Sequence, residues 1–148
     1  MTEQKPVWTI IKILNWTKQY FGEKGVENPR LDAEVLLCAV LDYTRLQLYT
    51  HFDQPLEEKE LKEYRGYVAR RAKREPVAYI LGKKGFLQYE FKVTRDTLIP
   101  RPETELLVEK LVRLNKDKGP REILDIGCGS GAILVSLLVQ LPEARGLG

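Results

Sequence analysis

Through the first half of the chain, apolar residues return every three or four positions, the spacing of amphipathic helices. In VWTIIKILNWTKQYF, Val7, Ile10, Ile11, Leu14 and Phe21 fall on one side, and Gly22 or Gly25 supplies a stop. The following run, ENPRLDAEVLLCAVL, offers Asn28 as a cap and Pro29 at the first helical position. Asp32 and Glu34 sit near the positive helix start. Leu31, Val35, Leu36 and Val40 form its apolar side, with the small Cys38 beside it. A third helix is predicted after Thr44, over RLQLYTHF. Asp53, Gln54 and Pro55 then open a longer one, LEEKELKEYRGYVARRAKRE, with acids early and bases late as the helix dipole prefers. Leu56, Leu61, Tyr64 and Val68 supply its inner face. These four helices predict an all-α bundle over residues 1–75.

After EPVAYILG the pattern changes. GFLQYEFKV mixes aromatic and β-branched residues with partial alternation, which predicts a β-hairpin within a linker over residues 76–100. TLIPRPETELLVEKLVRLNK follows. Pro102 suits a helix start, Glu103 and Glu105 fall in the first turn, and Leu106, Leu107, Leu111 and Leu114 form the apolar stripe. Lys116 to Pro120 is a polar turn and EILDI a short buried strand. PEARGLG reads as a turn and the opening of another strand. The expected fold is thus α+β in two parts: a helical bundle, a hairpin linker, and residues 101–148 as the truncated start of a Rossmann-like α/β domain. EILDI is expected to have no parallel neighbour in the chain. Its backbone and apolar side chains would be poorly satisfied, leaving residues from about 121 onward mobile or self-associating.

Composition narrows the class. A chain of 148 residues, 43% hydrophobic and 30% charged, suits one ordinary domain or a small domain plus part of a second. No apolar run approaches the roughly 20 residues needed to cross a bilayer, and MTEQKPVWTIIK lacks a signal-peptide layout. Cys38 and Cys128 have no spaced Cys or His companion, so neither a zinc site nor a disulfide framework is readable. A reducing, cytoplasmic setting is expected. His51, the one histidine, has no visible catalytic partner and reads as packing or surface. Net charge is only +3, but Arg65 to Arg95 holds nine bases against two acids, Glu75 and Glu90. That excess suits an acidic partner or a phosphate backbone, or simply a solvated helix face and hairpin.

The candidate chemistry lies in ILDIGCGSGAIL, residues 123–134: a short strand, a glycine-rich turn and a helix start. Gly127, Gly129 and Gly131 let the backbone turn sharply and a ligand approach closely. The helix that follows points free N–H groups at that ligand. Gly127, Gly129 and Ala132 even satisfy the dinucleotide fingerprint. Asp125 argues against it, because an NAD-type strand is usually apolar there. A preceding helical domain and hairpin argue against it too. An acid at Asp125 suits a cofactor bearing an ammonium group, such as the methionine part of S-adenosylmethionine.

TLIPRPETELLVE followed by ILDIGCGSGAI, together with PRLDAEVLL and REPVAYILG, resembles the HemK/PrmC family of release-factor glutamine N5-methyltransferases. The resemblance runs from about Trp8 onward. It implies that Asp125, Gly127, Cys128, Gly129, Ser130 and Gly131 wrap the methionine end of S-adenosylmethionine. It implies that Thr97, Ile99, Pro100, Arg101, Pro102, Glu103, Thr104 and Glu105 lie beside the active-site mouth. Arg101 and Glu103 would order that mouth or touch cofactor or substrate; alternatively these residues fix a domain junction and cap its helix. The family's partner is a peptide chain release factor, recognised partly by the helical domain, whose Gly-Gly-Gln loop enters the catalytic cleft. Its catalytic Asn-Pro-Pro-Tyr motif has no counterpart here, and the acid that would grip the cofactor's ribose is also missing. The chain is therefore expected to be an N-terminal fragment, inactive alone, with no catalytic residue and no metal. Membranes and, as a direct substrate, nucleic acid are not expected. A non-catalytic release-factor-binding module and a nucleic-acid adenine methyltransferase are the competing readings, with a dehydrogenase last.

Overall fold

The first predicted helix forms as α1, Ile10–Glu23, in the computed structural model, which describes residues 7–116, 118–119 and 121–148. Its end is set by Gly25, whose φ of +66° favours glycine. The Gly25 N–H donates to Gly22 O and the Val26 N–H to Phe21 O, both at 2.9 Å. Two orphan carbonyls are thereby satisfied, and Val26 drops into the core beside Phe21. Val7 is exposed rather than on the inner side, which consists of Ile10, Ile13, Leu14, Thr17 and Phe21.

Helix α2, Pro29–Leu41, starts on its proline as predicted. Its buried face is Ala33, Glu34, Leu36 and Leu37, whereas Leu31 is exposed and Val35 and Val40 are half-buried. The face is rotated because α2 carries neighbours on several sides, α1 among them. Helix α3, Arg45–Thr50, is opened by a capping box: the Gln47 N–H donates to Thr44 Oγ1 and the Thr44 N–H to Gln47 Oε1. His51 closes α3 at the exposed surface.

The fourth helix starts later than the sequence suggested. Residues 52–56 instead form a strap across the start of α1. The Ile10 and Ile11 N–H groups donate to Gln54 O and Phe52 O, and the Leu56 N–H donates to Trp8 O. Free amides at a helix start need acceptors, and this strap supplies them. Helix α4 is Glu58–Ala72, with a second capping box between Glu57 and Glu60. Tyr64 is buried on its inner face and donates from its hydroxyl to Ala33 O at 3.1 Å. Arg71 Nε meets Asp32 Oδ2 at 2.7 Å, fixing α4 to α2. A fifth, unpredicted helix, α5, Val77–Leu81, follows, and its Ile80 joins the same core. Arg70 pairs with Glu75 and donates to the Tyr79 and Ile80 carbonyls of α5. These elements form one compact unit, Met1–Leu81.

A buried charge sits in that unit. Glu34 is 2% exposed, yet accepts from Arg30 Nε at 2.9 Å, Arg45 Nη2 at 2.6 Å and the Tyr49 hydroxyl. Burial alone would raise its carboxyl; the hydrogen bonds from Tyr49, Arg30 and Arg45, with the Arg45 charge, hold it below its ordinary value. Sequence reading placed Glu34 near the helix start only as a dipole partner and missed this cluster.

The second unit is Gly82–Gly148. Strands β1, Lys83–Phe86, and β2, Tyr89–Lys92, make the predicted antiparallel hairpin. Helix α6, Pro102–Asn115, begins on Pro102. Its predicted stripe is only partly right: Val108 is fully buried with Leu111 and Val112 against it, while Leu106, Leu107 and Leu114 are exposed. The described neighbours cover just one narrow side of this helix. Strand β3, Glu122–Leu124, is followed by α7, Ala132–Gln140, and β4, Arg145–Leu147. Contrary to the expectation for EILDI, β3 has a parallel neighbour: Glu122 faces Arg145, Ile123 faces Gly146 and Leu124 faces Leu147. Gly146 makes this possible, since a Cβ there would stand 2.6 Å from Leu134 Cδ1 and 3.1 Å from Leu138 Cδ1. The whole is mixed helix and sheet, mostly helical, with two small strand pairs. Among the described residues no helix is long and apolar enough to cross a membrane.

Candidate functional site

Strand β3 delivers the chain to Asp125, and α7 takes it away after Gly131. Between them the backbone turns through Gly127, Gly129 and Gly131, at φ of +82°, +56° and +77°. An L-residue would be strained at each, so the three glycines answer a conformational demand. Space around them is open as well. A Cβ at Gly127 would meet nothing within 4 Å, and one at Gly129 only the Gly127 carbonyl at 3.9 Å. The turn is closed by the Gly131 N–H donating to Cys128 O at 2.8 Å. Cys128 and Ser130 are half-buried within it. Gly131 caps α7, so amides of the first helical turn open toward the loop.

Asp125 is fixed by its backbone: its N–H donates to Leu147 O at 2.9 Å, tying the start of the loop to the end of β4. Its Oδ2 is enclosed and has no hydrogen-bond partner among the described residues. A carboxylate oxygen in that state wants a donor, and burial makes the want costly. PEARGLG reads in the sequence as opening the second strand of the cofactor site, but its contact with the glycine loop was not foreseen. A Cβ at Gly148 would stand 3.1 Å from Cys128 Cβ, so the residue after β4 borders the loop. The adjacency of parallel strand ends at a ligand loop was the available signal.

The second predicted group is not gathered in the same way. Thr97 Oγ1 donates to Thr94 O and accepts from the Thr94 N–H, closing a local turn. Pro100 is buried and Ile99 half-buried. Arg101 is the exposed cap of α6, its carbonyl accepting from the Thr104 N–H. Glu103 is exposed in the first helical turn beside Pro102. Glu105 turns the other way, its Oε1 accepting from the Leu87 N–H at 2.9 Å. Leu87 has a φ of +52°, unusual for a branched residue, so Glu105 steadies a strained hairpin turn. No group of three or more His, Cys, Asp or Glu among the described residues is arranged to hold a metal.

Residues 12–82 match the family described as the PrmC N-terminal domain. Over 148 residues the chain is 51% identical to the release factor glutamine methyltransferase of Geobacter sulfurreducens, an alignment covering 100% of this chain and 51% of that protein. The helical part of the chain belongs to the PrmC N-terminal domain family. Release factor glutamine methyltransferases of Rhodopirellula baltica and Chlorobaculum tepidum are 40% and 43% identical, over 97% and 98% of this chain and 50% and 51% of theirs. The chain spans about half the length of the curated relatives it matches. The family domain coincides with the helical unit, whereas the glycine loop lies beyond it, in the stretch shared with the relatives.

Proposed function

We propose that this chain contributes the helical domain and the first cofactor-binding loop of a release factor glutamine methyltransferase. The methyl group would pass from S-adenosylmethionine to the side-chain amide of the Gly-Gly-Gln glutamine. The observation that carries the reading is the unpartnered, enclosed Oδ2 of Asp125 at the head of a loop whose three glycines all have positive φ.

The residues fit the cofactor. Asp125 offers a buried acceptor for an ammonium group. The open backbone at Gly127 and Gly129 leaves room where side chains would intrude. The amides at the start of α7 suit the carboxylate of an amino acid. When bound, S-adenosylmethionine supplies an electrophilic sulfonium methyl. The chain's own residues hold and orient it; what acts on the glutamine must do different work. An amide nitrogen is a poor nucleophile, and it needs acceptors for its NH₂ hydrogens and in-line placement. The sequence holds no Asn-Pro-Pro motif for that task, so we read the 148-residue chain as inactive alone. The proposed layout is the Rossmann-like one, β3 and β4 being its first parallel pair, with release-factor recognition assigned to the helical domain and a cytoplasmic setting. Within the mouth segment, Arg101 and Glu103 are the residues free to meet substrate, and Glu105 serves the hairpin.

Calorimetric titration with S-adenosylmethionine, S-adenosylhomocysteine and NAD tests the reading. Binding of the first two, weakened at least tenfold by Asp125→Asn, is expected. NAD binding, or cofactor binding indifferent to Asp125→Asn, would overturn it.

A further inference from the structure

We propose that the groove between α1 and α4 binds a single-stranded nucleic acid, by stacking bases on its aromatic wall and drawing the phosphates to its cationic rim. Both helices pack through the core around α2, and a cavity of about 340 Å³ remains between them. Trp8, Trp16 and Tyr20 line the α1 side, and Tyr64, Arg65 and Val68 the α4 side. Trp16 and Tyr20 stack, with ring centroids 5.2 Å apart and planes 12° apart; Trp8 meets Trp16 edge-on at 6.4 Å. Trp16 is nevertheless 48% exposed. A half-exposed indole stacked on a phenol is a platform for another flat ring.

Cations outnumber acids along this wall, where Glu23 follows Tyr20 by one turn of α1 and Glu58 precedes Lys62 by one turn of α4. Lys12 lies one turn from both Trp8 and Trp16, and Lys24 Nζ stands 5.5 Å from the Tyr20 ring centroid. Across the groove are Arg65 and, one turn away, Lys62. None of these four forms a salt bridge among the described residues, in contrast to Arg30, Arg45, Arg70 and Arg71 of the same unit. Glu23, at the far end of α1, accepts from Gln19 Nε2 at 3.1 Å. The 14-residue α1 that carries Trp16 and Tyr20 is about 21 Å long, with Trp8 just before it and Lys24 just after, enough for several nucleotides. Cations without a carboxylate partner, Lys12 Nζ donating to Val7 O at 3.3 Å, flank exposed, stackable rings here, and such pairings hold single strands with little sequence preference. An acidic peptide would use the cations but would leave the flat face of Trp16 without a matching ring.

The site is separate from the glycine loop and does not rest on the methyl-transfer reading. The test titrates a 12-nucleotide oligouridylate into the full chain while following tryptophan fluorescence, with a glutamate-rich helical peptide as competitor. Quenching on binding is expected, with log affinity falling against log salt at a slope of about −2 to −3 for three or four phosphate contacts. Trp16→Ala should weaken binding roughly tenfold. Lys12→Gln with Lys24→Gln should flatten the salt slope and leave the far-ultraviolet dichroism unchanged. No binding, binding without quenching, indifference to Trp16→Ala, or displacement by the acidic peptide at equal affinity would each overturn the proposal; the last would assign the groove to a protein partner.

Discussion

The two units treat their apolar residues in opposite ways. In the helical unit, Ile10, Phe21, Leu36, Leu37, Leu48 and Tyr64 are all at most 1% exposed, and five helices share one core. In the second unit, Phe86 and Val108 reach the same burial, but Leu98, Leu106, Leu124, Ile126 and Leu147 remain between 65% and 89% exposed. Parallel strands are ordinarily covered on both faces, and here only one face is: Ile123 packs against the core while Leu124 and Leu147 stay exposed. The first unit is closed by its own residues. The second leaves an apolar face uncovered by the described residues, and the glycine loop, with Ile126 89% exposed, borders that face.

Equivalent leucine truncations give the sharpest contrast. Leu36→Ala removes a fully buried side chain from the centre of α2 and is expected to cost about 2–5 kcal/mol. Leu106→Ala removes an exposed one from α6 and should stay within about 0.5 kcal/mol. Urea unfolding of the full chain, followed by helical dichroism, checks both. A large loss at Leu106 would mean that its face is already covered in solution, by a second copy of the chain for instance, and sedimentation at two concentrations would reveal that.

Next in size is the buried carboxylate. Glu34→Gln keeps the shape but loses charge-assisted bonds to Arg30 and Arg45, at about 1.5–3 kcal/mol. Because the folded carboxyl is held below its ordinary value of 4.5, its contribution is present above that value. It is lost as pH falls through the lower folded value. The wild-type chain should therefore lose helical-unit stability on acidification below about pH 4.5, and Glu34→Gln should flatten that part of the profile. An unchanged acid limb would show that Glu34 is as readily protonated folded as unfolded.

A smaller effect separates Glu103 from Glu105 in the first turn of α6. Glu105→Ala takes the acceptor from the Leu87 N–H and should cost about 1 kcal/mol, with faster hydrogen exchange at Leu87. Glu103→Ala, exposed at the start of α6, should change stability by about 0.3–1 kcal/mol through the helix dipole and leave Leu87 exchange alone. If both variants behaved alike at Leu87, the Glu105 contact would not be what holds the turn.

How far the sequence could be read follows the same division. Helix starts marked by Pro29, Thr44 and Pro102 were legible because capping is a local event. The hairpin and the glycine loop were legible for a similar reason: Gly127, Gly129 and Gly131 each meet a φ that few other residues tolerate. Long-range choices were not. Nothing local announces that Phe52 and Gln54 would cap α1 rather than end α3 and open α4. Nor does periodicity reveal that Glu34, among apolar neighbours, collects two arginines and a tyrosine from separate turns. The pairing of β3 with β4 depends on Gly146 fitting beneath Leu134 and Leu138, a property of packing rather than of pattern.

A further predicted effect bears on the loop itself. Gly129→Ala places a Cβ in open space, its nearest neighbour the Gly127 carbonyl at 3.9 Å, so packing contributes almost nothing. The φ of +56° does contribute, at about 1 kcal/mol for a non-glycine residue. That strain is confined to the second unit and should leave the unfolding of the helical core where it was. Cofactor binding responds differently, because the added methyl stands in the space proposed for the ligand. A loss of S-adenosylmethionine affinity well beyond tenfold, with only slight change in stability, would place ligand against this face of the loop. A loss no greater than the strain alone predicts would mean that the cofactor is held elsewhere, and that the glycines answer only the needs of the turn.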